Sequence, residues 1–299
     1  MPPDLTASTS DSASAKFTTR AASFGRPQSR HGLRQPQGGR HLVRADDDVL
    51  ARAARCPDRD LPRTLLDFDI VDLSHTLEIG IPTFPTHPKH IIADYVSMDD
   101  VAEFKQLIMC DHSGTHIDSP SHFVPDPEDP RRISTADLSV SQLIGRAVVM
   151  AFGPFEATSH HIGLADVRAW EEANEPVREG DIVIINTGWA RHWKRIPEGF
   201  DYLRGWPGLS GEASAYLRGK NIKAVGIDCI SIDPGDVSGA ALKAHYEFLP
   251  NGVLVLENLT NLDGLPPVVL FAALPLKIAG GTDSPVRAVA LVAKGDSRA

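Results

Sequence analysis

Between residues 112 and 122 the chain reads His112-Ser-Gly-Thr-His116-Ile-Asp118-Ser-Pro-Ser-His122, four groups that bind metals or carry protons within eleven residues. Neutral imidazoles beside a carboxylate are ligands for zinc or manganese, so this pattern points to a divalent-metal site. In an extended segment, residues 112, 114, 116 and 118 share one face, with same-face neighbours roughly 6.6 to 6.8 Å apart. That spacing suits His116 and Asp118 on one ion with bonds of about 2 Å. On a straight strand His112 and His116 would stand roughly 13 Å apart, too far to share it. The site therefore demands a bend at Ser113–Gly114, where glycine has no Cβ to obstruct the backbone. Pro120 then ends any regular continuation and turns His122 toward the same place. A lone histidine is ordinarily packed or solvent-facing, and His75, His87, His90, His160, His161 and His192 are read that way.

An ion held there needs ligands from elsewhere in the chain. His245, in Lys-Ala-His-Tyr-Glu, and Glu257, closing Gly-Val-Leu-Val-Leu-Glu, are the candidates. A carboxylate that ends an apolar, buried strand is costly unless something positive meets it. A metal would meet it, and so would a salt bridge or a hydrogen-bonded strand end; both readings stand. Asp228, ending Ala-Val-Gly-Ile-Asp, carries the same two readings. Other chemistry finds less support. No Gly-x-Ser-x-Gly elbow supplies a serine nucleophile, and no Gly-x-Gly-x-x-Gly or P-loop cradles a nucleotide. Cys110 reads as a small buried hydrophobe rather than a thiolate or soft ligand.

The elements that must position these groups alternate in type. Ile70–Leu77, Arg146–Phe152, Asp181–Thr187, Ile222–Asp228, Val253–Glu257 and Val286–Val292 are rich in Val and Ile and bounded by Gly, Pro, Asn or Asp, and read as strands. Leu164–Ala173 and Gly211–Lys220 read as helices, the second capped by Ser210. Gly280–Gly281 reads as a turn that brings the chain close to the site. Interleaved strands and helices indicate an α/β domain with mixed sheets.

Composition limits the partners. The 299 residues carry 30 Lys+Arg against 39 Asp+Glu, a net charge of −9, with 42% hydrophobic and 23% charged residues. An acidic balance argues against nucleic acid, which needs a basic face. No run approaches the roughly 18 apolar residues of a membrane span. Three scattered cysteines, Cys56, Cys110 and Cys229, without a CxxC pair indicate a reducing, cytoplasmic setting. The first 45 residues hold seven basic and two acidic residues and are rich in Ser, Ala and Pro. Such a leader buries too little apolar surface to order itself. Residues 1–60 are therefore read as a disordered Arg/Ser-rich leader, with a short helix over Asp46–Arg63, and residues 61–299 as the folded domain. The leader also has the composition of an organelle transit peptide, although Asp4 and Asp11 stand where such a peptide is positive.

His112-x-Gly-Thr-His116-x-Asp118-x-Pro-x-His122 resembles the signature of the metal-dependent cyclase family, which includes bacterial kynurenine formamidases and isatin hydrolases. The likeness runs from about Ile70 to Val292. It continues in Val-Asp-Leu-Ser-His at 71–75, Gly-Asp-Ile-Val-Ile-Ile-Asn-Thr-Gly-Trp at 180–189, Gly-Ile-Asp-Cys-Ile-Ser-Ile-Asp-Pro-Gly at 226–235, Leu-Glu-Asn-Leu-Thr-Asn-Leu at 256–262 and Lys-Ile-Ala-Gly-Gly-Thr-Asp-Ser-Pro-Val-Arg at 277–287. The resemblance implies a swivelling β/β/α domain, assembled as a homodimer or homotetramer, with zinc or manganese as one ion or a bridged pair. It implies His112, His116 and Asp118 as the first ligand set, Asp118 bridging to a second ion held by His245 and Glu257, and His122 in proton transfer. Phe84, in Pro-Thr-Phe-Pro, falls where formamidases carry a substrate-contacting Trp, a departure that weakens a kynurenine-type substrate but keeps an aromatic wall.

A bound divalent ion lowers the pKa of its water from about 15.7 to about 7 and polarises an amide or ester carbonyl. A histidine with an ordinary pKa near 6.5 can move the water's proton to the leaving group, and His122 is the motif histidine left once those ligands are assigned. The expectation is a hydrolase of a small cyclic or N-acyl amide, an arylformamide or isatin-type lactam, acting through a metal-activated water. The alternatives are a lactone hydrolase, a metal-dependent cyclase or dehydratase of the same family, or a catalytically silent metal-binding protein. A purely structural site would be closed, typically by four Cys or His ligands; spare carboxylates and an unassigned histidine describe an open one.

Overall fold

The structure, a computed structural model, describes residues 67–96, 102–156 and 159–294. The leader 1–60, the helix expected over Asp46–Arg63 and Cys56 lie outside the described residues. In chain order the strands are β1 (Phe68–Asp72), β2 (Ile91–Val96), β3 (Phe104–Ile108), β4 (His116–Asp118), β5 (Ile144–Ala151), β6 (His161–Ile162), β7 (Ile182–Asn186), β8 (Gly208–Leu209), β9 (Ala224–Ile227), β10 (Leu254–Glu257), β11 (Val268–Pro275) and β12 (Asp283–Ala293). The α-helices are α1 (Leu164–Ala173), α2 (Gly211–Gly219) and α3 (Lys243–Phe248).

The uninterrupted Val and Ile runs become the parallel strands β5, β7, β9 and β10. Every residue of β7, β9 and β10 is buried, because parallel strands are covered on both faces. Antiparallel β11 and β12 extend one side and β4 the other. The eleven residues of β12 serve two partners on one edge: Asp283–Pro285 pair with β4, and Val289–Ala293 pair with β1. The strands β12, β11, β5, β7, β9, β10 and β4 thus close into a barrel-like mixed sheet, with β1 lying alongside. The fold is mixed α/β.

Period-two alternation divides the core. Val148 and Met150 face a cluster that includes Val167 of α1, Leu217 of α2 and Phe248 of α3. Their neighbours Ala147 and Val149 face a second cluster, without helical residues, that includes Ile184, Leu254, Ala288 and Ala290. Small side chains there suit the interior of a narrow barrel.

The strands expected at 146–152, 181–187, 222–228 and 253–257 and both helices fall where the sequence placed them. Ser210 caps α2, its Oγ accepting from Ala213 N at 3.2 Å. The first expected strand ends early, at Asp72, where Ser74 Oγ accepts from Ala288 N at 2.7 Å and turns the chain off the sheet. The β2–β3 hairpin, β11 and α3 were not expected. The last strand begins at Asp283 rather than Val286, which brings an unforeseen carboxylate to the barrel rim.

His75, past that turn, lies flat on Trp193 with ring centroids 3.9 Å apart and an 8° tilt. Its Nε2 is buried without a partner, and burial pushes the imidazole down to about 4. The unfolded chain protonates it near pH 6.5. Between about pH 6.5 and 4 the folded state therefore binds fewer protons, and stability falls as pH is lowered through that window. Metal-free His75→Phe, which keeps the stack without a titrating ring, is expected to lose about 2 kcal/mol less stability than the wild type between pH 7 and 5. Equal losses in denaturant titrations of the two proteins would contradict this.

Candidate metal centre

The bend required by the histidine spacing is present at Gly114, which has φ +64°. A Cβ there would stand 2.5 Å from Leu77 Cδ2. The bend brings the rings of His112 and His116 to 5.3 Å between centroids. Gly114 O lies 2.8 Å from His116 Nδ1. A carbonyl can only accept, so Nδ1 carries the proton and Nε2 presents its lone pair. Asn258 Nδ2 donates to the same carbonyl at 2.8 Å, and Tyr202 Oη donates to Asn258 Oδ1 at 2.8 Å, so the bend is braced from the core.

Strand register gathers the acids. β4 lies between β10 and β12, with Glu257 opposite His116 and Asp283 opposite Asp118. Directly opposed residues project to the same face, and residues 116 and 118 already share one. His116 Nε2 is 3.4 Å from Asp118 Oδ1 and 3.5 Å from Glu257 Oε2. His245, from α3, reaches the other side of both acids: its Nε2 is 3.6 Å from Asp118 Oδ2 and 3.4 Å from Glu257 Oε1. Asp233 aims it. Its Oδ2 accepts from His245 Nδ1 at 2.6 Å, while its two oxygens accept the backbone N–H groups of Ala244 and His245 at the start of α3. A carboxylate behind a ligand imidazole fixes its tautomer and direction.

The buried charge here is of the kind a divalent cation would balance. His116 Nε2 and both oxygens of Asp118 and of Asp283 are buried without hydrogen-bond partners. Burial opposes the charge of Asp118, yet His245 and His116 hold its pKa well below the usual carboxylate range. Burial, and then the charge of Asp118, push Asp283 up. Two carboxylates packed face to face cannot both stay ionised unless something positive intervenes. Imidazole nitrogen and carboxylate oxygen form a donor set suited to zinc or manganese, so these residues fit a divalent ion.

Among the described residues, four groupings of donor atoms lie close enough to hold one: His116, Asp118 and Glu257; Asp118, His122 and His245; His112, His122 and Asp283; His87, Cys110 and His112. Asp118, His112 and His122 each belong to two of them. His112 Nε2 sits 3.0 Å from Asp283 Oδ2 and 3.4 Å from His122 Nε2. Its Nδ1 is held by Asp111 Oδ1 at 3.1 Å. The structure thus sets Glu257 beside His116 and brings His122 among the donors, where the sequence expectation grouped His112 with His116 and Asp118 and kept His122 apart. His122 stands on the single turn Pro120–His122, and burial lowers its pKa to about 4.

These groups floor a cavity of about 220 Å³ whose walls include Phe84, His87, Phe123, Ile230 and Leu242. Phe123 stacks on His245 at 4.8 Å. Phe84, the aromatic wall expected from the sequence, faces this space together with Phe123. Trp189 and Trp206 are buried in the core, Trp193 covers His75, and Tyr246 packs edge-on against Phe123. Asp228 takes its structural reading, accepting from Thr187 N and Oγ1 and from Trp189 N. Cys110 is half-buried 3.9 Å from His112 Nδ1, and burial pushes its thiol up. Sequence reasoning missed Asp283, Asp233, Asn258 and His87. The available signal for Asp283 was the Gly280–Gly281 turn: Ser119 N donates to Thr282 O at 2.9 Å, docking the turn on the motif.

The Cyclase family model matches residues 71–234. The chain is 33% identical over 217 residues to the isatin hydrolase of Roseibium aggregatum, covering 69% of this chain and 81% of that protein. It is 28% identical over 223 residues to the kynurenine formamidase of Erythrobacter litoralis, covering 74% and 92%. Among solved structures, isatin hydrolase A from Labrenzia aggregata bound to benzyl benzoate superposes with a TM-score of 0.70 at 26% identity, over 83% of this chain and 99% of that one.

Proposed function

The chain belongs to the cyclase family, and from that premise we propose that it is a metal-dependent hydrolase cleaving the C–N bond of a small cyclic or N-acyl amide, an arylformamide or isatin-type lactam. The observation that carries this reading is the set of unpartnered, buried ligand atoms on His116 and Asp118 at the floor of an apolar cavity. Zinc or manganese, as one ion or a bridged pair, would be held by His112, His116, Asp118, His245 and Glu257. When bound, the ion supplies a Lewis acid that acidifies water and polarises a carbonyl.

The protein's own groups do the rest. Phe84 and Phe123 give a planar substrate two aromatic surfaces. His122, with its pKa lowered by burial, is neutral at pH 7 and accepts the proton of the attacking water. As the new C–O bond forms and the C–N bond breaks, His122 returns that proton to the leaving nitrogen, so that one water is consumed and an acid and an amine result. Asp233 acts through His245 and Asn258 through the Gly114 carbonyl, keeping both imidazoles aimed.

The finer fold assignment, a swivelling β/β/α domain, belongs to the same proposal, as do a homodimer or homotetramer and a cytoplasmic setting. The apolar surface of the β2–β3 hairpin, with Ile91, Phe104, Leu107 and Ile108 exposed, supports an assembly interface. The free thiols Cys110 and Cys229 support a reducing compartment, and no described helix is long and apolar enough to cross a membrane.

Chelator-stripped protein is expected to release no acid from isatin, N-formylkynurenine or a simple lactone, and to regain activity on at least one when zinc or manganese is restored. Full activity in the stripped protein would contradict the proposal.

A further inference from the structure

Strand β12 carries Asp283 to the barrel rim opposite Asp118, yet the ligand set proposed above makes no use of it. Its side chain is wholly buried, and neither oxygen has a hydrogen-bond partner. His112 Nε2 lies 3.0 Å from Asp283 Oδ2. The other nitrogen of that ring, Nδ1, faces Asp111 Oδ1 at 3.1 Å. Asp111 is a carboxylate there, because its hydrogen bond with His112 holds it well below the usual range. A carboxylate can only accept, so Nδ1 carries the proton and Nε2 turns its lone pair toward Asp283. Two acceptors thus face each other across 3.0 Å, an arrangement that needs a proton or a cation between them.

His122 adds a third donor. Its Nε2 is 3.4 Å from His112 Nε2, and its Nδ1 is 3.6 Å from Asp283 Oδ2. Ligands bound at about 2.1 Å stand roughly 3.0 to 3.4 Å apart when their angles run from right-angled to tetrahedral, so these spacings suit one ion. A proton would serve one pair of these atoms and leave the third unmet. The donors on the far side do not depend on this group. His116, Asp118 and Glu257 converge by themselves, and His245 Nε2 lies 3.4 Å from Glu257 Oε1. One divalent ion among them balances Asp118 and Glu257 and leaves Asp283 still to be met.

Resting on the metal-dependent reading above, we propose that His112, His122 and Asp283 form a further position for a divalent cation, which uses no atom of Asp118, and that an ion there stops turnover. His122 is the ring assigned to proton transfer, and a nitrogen that holds a metal cannot also take up a proton. The position is the weaker one, because a single carboxylate serves it where Asp118 and Glu257 serve the first. Metal that activates the protein at low concentration therefore inhibits it in excess.

The test titrates zinc into the chelator-stripped full-length protein by equilibrium dialysis, with turnover of isatin and N-formylkynurenine followed on the same samples. Wild type is expected to fill a tight complement and then one further, weaker equivalent, with turnover falling as that equivalent fills. In Asp283→Asn the tight uptake is expected to persist, while the weaker equivalent and the fall in turnover both move to at least about tenfold higher zinc. Asp283→Ser, which also removes the carboxylate, serves if the asparagine variant does not fold. Crystals of the wild type soaked in excess manganese are expected to show an anomalous peak about 2 Å from His112 Nε2 and an Asp283 oxygen. No further equivalent, or one that Asp283→Asn leaves unchanged, overturns the inference, and so does a filled position that leaves turnover intact. Absence of tight uptake sinks the metal-dependent reading itself. Tight uptake without turnover of either substrate counts against the hydrolase reading alone, and the zinc count still decides whether the position exists.

Discussion

Replacing Asp118 by Asn should strip the protein of most of its bound metal and of nearly all hydrolysis. Both oxygens of this fully buried side chain lack partners, and each faces a different histidine, Oδ1 toward His116 and Oδ2 toward His245. Asparagine offers one acceptor and, in place of the other, an N–H donor that cannot bind a cation. Even partners behind a ligand alter metal affinity about 10- to 100-fold, so loss of the shared carboxylate is expected to weaken binding by more than about 100-fold. The metal-free protein also loses stability at pH 7, because, against the opposing effect of burial, His245 and His116 hold the Asp118 carboxylate well below its usual range, and asparagine gives up that charge. Scanning calorimetry with and without zinc or manganese separates the two effects: the midpoint without metal should fall below that of the wild type at pH 7, and the rise on adding metal should shrink toward zero. A full metal-induced rise in Asp118→Asn would show that the ion binds elsewhere.

His122→Ala is expected to lower kcat by about 10²- to 10⁴-fold, the range for a positioned proton-transfer group, with metal content unchanged. His122 is the most solvent-accessible of the four imidazoles at the centre, with 27% of its side chain exposed against 11% for His112, 3% for His116 and 7% for His245. It can therefore meet a water or a leaving group entering from the cavity. Its Nδ1 is 3.6 Å from Asp283 Oδ2, outside hydrogen-bonding distance, and its Nε2 is 3.4 Å from His112 Nε2. Parallel metal analysis and single-turnover kinetics decide the role. Loss of metal together with activity would move His122 into the ligand set, as its grouping with Asp118 and His245 permits, and retained activity would remove it from proton transfer.

Much of this arrangement was legible in the chain because local chemistry wrote it there. The Val and Ile runs of β5, β7, β9 and β10 could only be buried strands. The 112–116 spacing forced a bend, and Gly114 was the residue able to make it. What stayed hidden depended on distant pairing. Asp283 reaches the site because β12 is long enough to serve both β4 and β1 on one edge, a matter of register that no local pattern records. His87 sits in a Pro-rich loop whose path is set by tertiary contacts. Asp233 precedes α3, a helix of six residues too short to show periodicity. Hydrophobic alternation locates strands, but it does not say which acids will face each other across them.

The proposed function stands on His116 and Asp118 binding a divalent cation. Crystals grown with manganese and measured on both sides of its absorption edge test it directly. An anomalous peak is expected about 2 Å from His116 Nε2 and an Asp118 oxygen; an active protein whose only such peak lies away from both side chains would overturn the assignment.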